Sequence, residues 1–381
     1  MEFKHDICIV GLKCLDLLVE AETPKYLGGI ERVLVALAKG LVDHGKKVAF
    51  VTFNEGLPLG AKVHGITVYQ AYSVNTGIKG VRFFHPKATS IYRAMSMADA
   101  EYYLQMGAGT ETAVTAAIAQ FCLKGRRKFF YCVGSDSDCQ RNPSLIESSF
   151  EKSLYKWGLR HADLVVSQTE TQKELLIQNS DLGSVVIPMP YQSEEKDLPA
   201  LDLQPQYHAE FLWIGRIMRE KRLEMYLDLA RANGNYHFNV VGNPNVSSSY
   251  ATDLLEEAKA ISNVTVHGLV SEDKLNQLYR TCKVLFCTSE IEGFPTTFLE
   301  AWSQKMPIIT TFDPDGVVET GSLGCVVTSL AELNQALETV MAESAHYHRL
   351  SRNCYEFYNA NYTIAAVVPK YLAKMRELSN S

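Results

Sequence analysis

The stretch Glu292-Gly-Phe-Pro-Thr-Thr-Phe-Leu-Glu300 decides how this chain is read. It follows an apolar run, Val284-Leu-Phe-Cys287, of a length that suits a buried strand. It runs into Phe298-Leu-Glu-Ala-Trp302, which reads as a helix. Thr296 or Thr297 supplies a cap for that helix, and Pro295 suits its first turn. A strand, a turn and a helix start with free backbone N–H groups make a natural anion site. One carboxylate then lies in the turn and the other about a turn or more into the helix. The two acids therefore address different parts of one ligand. An acid beside a phosphate-ready helix end points to sugar-nucleotide chemistry more than to plain nucleotide binding.

On either side of this stretch, strand-like and helix-like segments alternate from end to end, which implies α/β architecture with parallel sheets. Ile7-Cys-Ile-Val10 is the first strand. An amphipathic helix follows from Ile30 to about His44, stopped by Gly45, and Lys47-Val-Ala-Phe-Val51 is the next strand. Lys128-Phe-Phe-Tyr-Cys-Val133 and Asp163-Leu-Val-Val-Ser167 read as later strands of the same domain. The periodicity fades from Pro188 to Gln206, a stretch with four prolines and the pair Glu194-Glu195, so the linker is expected there. A second set of strands begins at Phe211-Leu-Trp-Ile214. It continues through Phe238-Asn-Val-Val241, Val264-Thr-Val266, Val284-Leu-Phe286 and Pro307-Ile-Ile-Thr310. The expected domains are 1–190 and 205–355, and the final stretch from about Tyr355 to Leu378 reads as helical.

The chain has 381 residues, enough for two domains that each bury a core. Lys and Arg number 37 against 43 Asp and Glu, a net charge of −6, which argues against broad nucleic-acid binding. No apolar run approaches the length of a membrane span. The start, Met1-Glu-Phe-Lys-His-Asp-Ile-Cys8, lacks a signal-peptide core, so a cytoplasmic location is expected. The nine cysteines are scattered without a C-x-x-C pair and read as reduced, buried thiols.

Three further segments stand in order with the glutamate stretch: Leu27-Gly-Gly-Ile-Glu-Arg-Val33, Trp213-Ile-Gly-Arg216 with Lys221 close behind, and Val266-His-Gly-Leu-Val270. Together they resemble the E-x7-E signature and its companion loops in retaining glycosyltransferases of the GT-B fold, glycosyltransferase family four in particular. The resemblance runs over nearly the whole chain and is denser in its second half. It implies two Rossmann-like domains facing each other across a cleft, with a last helix, about residues 360–381, that crosses back to the first.

The resemblance also implies roles. Arg216 and Lys221, with Gly215 allowing close backbone approach, would hold a donor diphosphate whose charge grows as the sugar leaves. A solvated basic turn with Arg219 and Arg222 is the plainer reading. The family has Gly where this chain has Arg222, which leaves the loop path open. Glu300 would take the ribose hydroxyls and Glu292 the sugar or the positive character at its anomeric carbon. Backbone N–H groups from Gly293 through Phe294, Pro295, Thr296 and Thr297 would meet phosphate or sugar, although Phe294 also suits plain packing. Gly242, Leu269 and Val270 lie in loops at the carboxyl ends of strands, where α/β proteins bind ligands, or else pack the core. Gly28 and Gly29 would admit donor phosphate or acceptor, unless the loop only needs positive φ angles. His267 reads as a satisfied core histidine.

The first domain departs from the family. Many relatives have a His after the strand ending at Val133, where this chain has Gly134-Ser-Asp-Ser-Asp138. Asp136 or Asp138 would position the acceptor hydroxyl or take its proton. A capped helix start is the alternative use of these acids. Gln105-Met-Gly-Ala-Gly109 is expected to form another loop of the cleft. The run Lys124-Gly-Arg-Arg-Lys128 reads as a solvated turn, with contact to anionic lipid as the second reading.

The function expected is transfer of a sugar, with retention, from a UDP- or GDP-linked donor to a hydroxyl of a glycan, glycolipid or lipid-linked sugar, in surface polysaccharide or glycoconjugate synthesis. No metal and no cofactor beyond the nucleotide sugar is expected, and peripheral membrane contact would follow from such an acceptor. A sugar-nucleotide epimerase or hydrolase of the same fold, or an inactive nucleotide- or glycan-binding partner, is the alternative.

Overall fold

The computed structural model describes residues 3–21, 25–26, 28–78, 82–125, 127–144, 146–192, 210–244 and 249–380. The chain divides into two compact units, the first made of residues 1–192 and 363–381, the second of 193–362. Most of the stretch read as a linker lies outside the described residues, as does Leu27 of the glycine-rich loop.

In the first unit the strands are β1 (His5–Val10), β2 (Val48–Thr52), β3 (Ala61–Val63), β4 (Ile66–Gln70), β5 (Ala100–Met106), β6 (Lys128–Cys132), β7 (Leu164–Ser167) and β8 (Val185–Val186). They form one sheet in the order β3-β4-β2-β1-β5-β6-β7-β8, parallel except for the β3–β4 pair. In the second unit β9 (Glu210–Ile214), β10 (His237–Val241), β11 (Val264–Gly268), β12 (Val284–Cys287), β13 (Ile308–Thr310) and β14 (Gly324–Val326) form a parallel sheet ordered β11-β10-β9-β12-β13-β14. Both sheets run outward in one direction from their first strand and then reverse. That is the doubly wound Rossmann pattern, which opens a crevice at the carboxyl ends of the two strands flanking the reversal.

Both faces of these strands are covered. In β9, Phe211 and Trp213 point into one cluster with Phe238, Val240 and Phe286, while Leu212 is equally buried on the other face. Continuous apolar runs therefore suit these strands, and alternating ones would not. Edge-to-face contacts of Phe211 with Phe286 and of Tyr226 with Phe238 tighten the cluster. All nine cysteines are free, and burial raises the pKa of the Cys8, Cys132 and Cys287 thiols.

One sequence expectation needs correction and another gains detail. Gln105 and Met106 extend β5, and only Gly107–Gly109 form the loop. The C-terminal run is two helices, Ser344–Asn361 and Ile364–Ser379. Thr363 breaks it, because its hydroxyl accepts the Ala366 N–H as an N-cap. The second of these helices belongs to the first unit. It packs against the helix Gly29–Asp43, where Gly40 leaves room for Ile364 and Val368. It also takes hydrogen bonds from β5, Tyr102 Oη donating to the Met375 carbonyl at 2.7 Å. No described helix is long and apolar enough to cross a membrane.

Candidate active site

In the second sheet the strand order reverses between β9 and β12. The chain after β9 carries Gly215, Arg216 and the short turn Arg219–Lys221; the chain after β12 carries Thr288 to Pro295. These two loops are bonded to each other. Thr288 Oγ1 donates to the Lys221 carbonyl at 2.7 Å and accepts from Trp213 Nε1 at 3.0 Å. The Glu290 N–H donates to the Glu220 carbonyl at 2.8 Å. The Lys221 ammonium pairs with the Glu292 carboxylate, both largely shielded at 20% and 16% side-chain exposure. Sequence reasoning gave these two residues separate tasks, and the fold brings them together. Arg216 lies on the exposed side of the same turn.

The helix Thr296–Ser303 begins directly after this pair. Pro295 is its N-cap, with φ −65° and ψ 120°, and the two threonines lie inside the first turn. This corrects the expected threonine cap. No side chain caps the helix; the Phe298 N–H donates back to the Pro295 carbonyl at 3.0 Å, which leaves the N–H groups of Thr296 and Thr297 to an anion. Phe294 is buried against Trp302 and Tyr362, so its side chain packs the core and only its backbone can serve a ligand. Gly293 is buried, and Thr296 and Thr297 are half-buried.

Glu300 lies one turn into the helix and is only 5% exposed. Its Oε2 accepts the Tyr279 hydroxyl at 2.6 Å. Tyr279, from the helix Glu272–Thr281, was not found by sequence reasoning, because its partner lies on a different element and no spacing links them.

Gly242 has φ +141°, and a side chain there would run into the Gly215 carbonyl. Its glycine is thus required by packing of the β9 and β10 loops. Gly215 N–H donates to the Val241 carbonyl, and Gly242 N–H to that of Gly268. Leu269 is exposed and Val270 half-buried at the end of β11. His267 is held by Asn239, Nε2 to Oδ1 at 2.8 Å, and burial followed by the nearby Lys274 lowers its pKa. It is a satisfied strand histidine.

In the first unit the loops after β1, β5 and β6 meet. Side chains built on Gly107 or Gly134 would come within 2.9 Å of Ile30 Cδ1. Gly28 is the N-cap of the helix Gly29–Asp43, with φ −87°. Its backbone therefore needs no positive φ. A side chain at Gly28 would instead strike the Glu31 carboxylate, which folds back over the helix start. That start is partly neutralised by its own acid, a poorer phosphate site than the sequence suggested.

Asp138 is 5% exposed. Its Oδ2 accepts from Gly134 N–H at 2.8 Å, Tyr131 Oη at 3.2 Å and Ser135 N–H at 3.3 Å, and with Ser135 it forms a capping box. Burial pushes its carboxyl up against the pull of those donors. Of the two uses expected for this acid, the capped helix start is the one the described contacts display, its carboxylate being enclosed and occupied as a cap. Asp136 is half-buried, and its Oδ1 accepts Gln172 Nε2 at 3.0 Å. In the basic run, Arg127 is buried with Asp99 at 2.7 Å, so it is not part of a solvated face; Arg126 lies outside the described residues. Among the described residues no group of three or more His, Cys, Asp or Glu is placed to hold a metal ion.

Residues 203–357 match the sequence model of a family described as "Glycosyl transferases group 1". A lipopolysaccharide 1,6-galactosyltransferase of Salmonella typhimurium is 30% identical over 138 residues, covering 34% of this chain and 34% of that protein. The match thus spans about a third of that relative's length. Among solved structures, sucrose-phosphate synthase from Thermosynechococcus elongatus superposes with a TM-score of 0.75 at 16% identity, over 99% of this chain and 100% of that one. HepE of Anabaena, in complex with UDP and glucose, gives 0.74 at 16% identity, over 98% and 99%. The lipopolysaccharide outer core galactosyltransferase WaaB gives 0.63 at 18%, over 96% and 98%. Residues 203–357 are thus similar to a glycosyl transferases group 1 domain, within a chain that has the GT-B fold.

Proposed function

We propose that this protein is a glycosyltransferase that moves a sugar from a nucleoside-diphosphate donor to a hydroxyl acceptor with retention at the anomeric carbon. The observation that carries the reading is the meeting of Lys221, Glu292 and an uncapped helix start at the strand-order reversal of a domain similar to glycosyl transferases group 1. Arg216 and Lys221 hold the diphosphate, together with N–H groups of the first helical turn. Glu300, oriented by Tyr279, takes the ribose hydroxyls, and Leu269 and Val270 border the base. To bind donor, Lys221 passes from Glu292 to the diphosphate, which frees Glu292 for the sugar.

In the reaction the bond from the anomeric carbon to the diphosphate oxygen breaks, and the bond to the acceptor oxygen forms on the same face. The acceptor proton goes to the departing diphosphate oxygen. The charge that grows on that oxygen is met by the cations and helix amides, which need no reorganisation at that moment. Asp136 is the remaining candidate for orienting the acceptor hydroxyl.

A UDP-hexose is the first donor to try, since HepE is seen with UDP and glucose, and a lipopolysaccharide-type glycan is the first acceptor, after the galactosyltransferase relative; GDP-hexose is the second donor. A lipid-linked acceptor would bring this protein, on the cytoplasmic side, to a membrane surface. The exposed Phe121, three residues before Lys124 in the chain, and the exposed Trp157, whose ring lies against that of Phe121, suit such contact. The test is a thermal-shift panel of UDP- and GDP-sugars, followed by transfer to glycan acceptors with the product's anomeric configuration read by NMR. A donor-dependent shift and a retained configuration are expected. An inverted product overturns the retaining mechanism. Turnover of donor at full rate without acceptor points to an epimerase or hydrolase.

A further inference from the structure

We propose that Arg222 is a positioning residue whose guanidinium staples three loops at the carboxyl edge of the second sheet and thereby sets Lys221 against Glu292. The proposal rests on the donor-site reading above. Arg222 breaks two local rules at once. It has φ +46° and ψ +49°, a left-handed conformation that L side chains seldom take and glycine takes freely. It is also the N-cap of the helix Leu223–Ala232, where a cation meets the positive end of the helix dipole. Glycine would satisfy both conditions. A residue that offends locally marks a place where a longer-range contact decides the choice.

The long-range contacts are specific. Arg222 Nε donates to the Thr288 carbonyl at 2.7 Å, and Nη2 donates to Thr311 Oγ1 at 2.8 Å and to the Ser289 carbonyl at 3.3 Å. Thr288 and Ser289 leave β12 and lead into Glu292; Thr311 leaves β13; Arg222 itself ends the turn after β9. Thr311 Oγ1 donates onward to the Ser289 carbonyl at 2.8 Å, and Thr288 Oγ1 returns to the Lys221 carbonyl at 2.7 Å. The circuit joins the backbone of Lys221 to the loop that bears Glu292. Neither acid nor ammonium touches Arg222, so its action is through position.

The test compares Arg222→Gly and Arg222→Lys with the wild type by hydrogen exchange, thermal unfolding and donor kinetics. Arg222→Gly relieves the backbone and should keep its unfolding midpoint within a few degrees. Its amides from Ser289 to Glu292 should exchange about tenfold faster or more in the ligand-free protein. Its kcat should fall about 10- to 100-fold while KM for the donor changes less than about threefold. Arg222→Lys, which reaches with one charged donor group, should recover part of both losses. Wild-type exchange at Ser289–Glu292 in Arg222→Gly overturns the staple. A fall in unfolding midpoint that matches the loss of activity in both variants also overturns it, because Arg222 then serves stability alone. A wild type that binds no nucleotide sugar defeats the functional reading, and the exchange comparison still decides the staple.

Discussion

Glu292 carries two jobs that separate experimentally. As the partner of Lys221 it holds an ammonium that a diphosphate would otherwise use; as a sugar ligand it supports transfer. Glu292→Gln removes the first and weakens the second. Transfer should fall by ~10²-fold or more. UDP alone should bind as well as to wild type or better, by up to about fivefold, because a shielded pair worth ~1 kcal/mol no longer competes. Calorimetric titration with UDP beside a rate assay checks both, and loss of UDP binding in parallel with rate contradicts the exchange of partners. Asp138 is the opposite case. Asp138→Ala leaves the Gly134 and Ser135 N–H groups and the Tyr131 hydroxyl without their acceptor, so ~1–3 kcal/mol of stability should go, seen in denaturant unfolding. A normal midpoint with dead catalysis would return it to the catalytic list. The glutamates were legible because a strand, turn and helix start surround them in sequence. The cap at Asp138 was legible only as one of two uses, since burial decides between them and burial is set by Tyr131 and Tyr155 across the sheet edge.

Elements were easier to read than their joints. The strands β1, β2, β6 and β7 of the first sheet and β9 to β13 of the second showed as apolar runs, because they are parallel strands covered on two faces. The strands β4 and β5 escaped, β5 because Glu101 and Gln105 interrupt its apolar run, and so did β3, β8 and β14, of two or three residues each, and the break at Thr363, a single capping hydroxyl within a helical pattern. The joints also hold the strictest steric demands. Gly242→Ala would combine an adverse φ of +141° with collision on the Gly215 carbonyl, so about 3 kcal/mol should be lost, read as a lower urea midpoint at unchanged slope. Between β10 and β11, His267 gives a pH dependence. Its folded pKa lies below the ordinary value, so the unfolded chain takes the proton first as pH falls. The stability it contributes is full above about pH 6.5 and declines as pH falls through that value toward the folded pKa. The groups that set this charge balance are Lys274, His237 and Glu210. Replacing His267 with Gln should flatten the curve of stability against pH between about 7.5 and 5.5. An unchanged slope over that range contradicts the assignment.

At the scale of the molecule, the two units are not two halves of the sequence. Unit two is one continuous segment, 193–362, whereas unit one is assembled from 1–192 and 363–381. The returning helix fills the groove beside Gly40, and its Tyr371 hydroxyl meets Cys132 in β6. Deleting residues after Tyr362 should therefore lower the calorimetric transition of the first unit and leave that of the second near its wild-type temperature. A single transition shifted as a whole would contradict that split. The arrangement has a consequence during synthesis. When the ribosome has released the first unit's sheet, the groove that awaits Ile364 and Val368 is still bare, and it stays so until the helix Ile364–Ser379 is made. The second unit's whole sequence therefore leaves the ribosome before the first unit has its last helix.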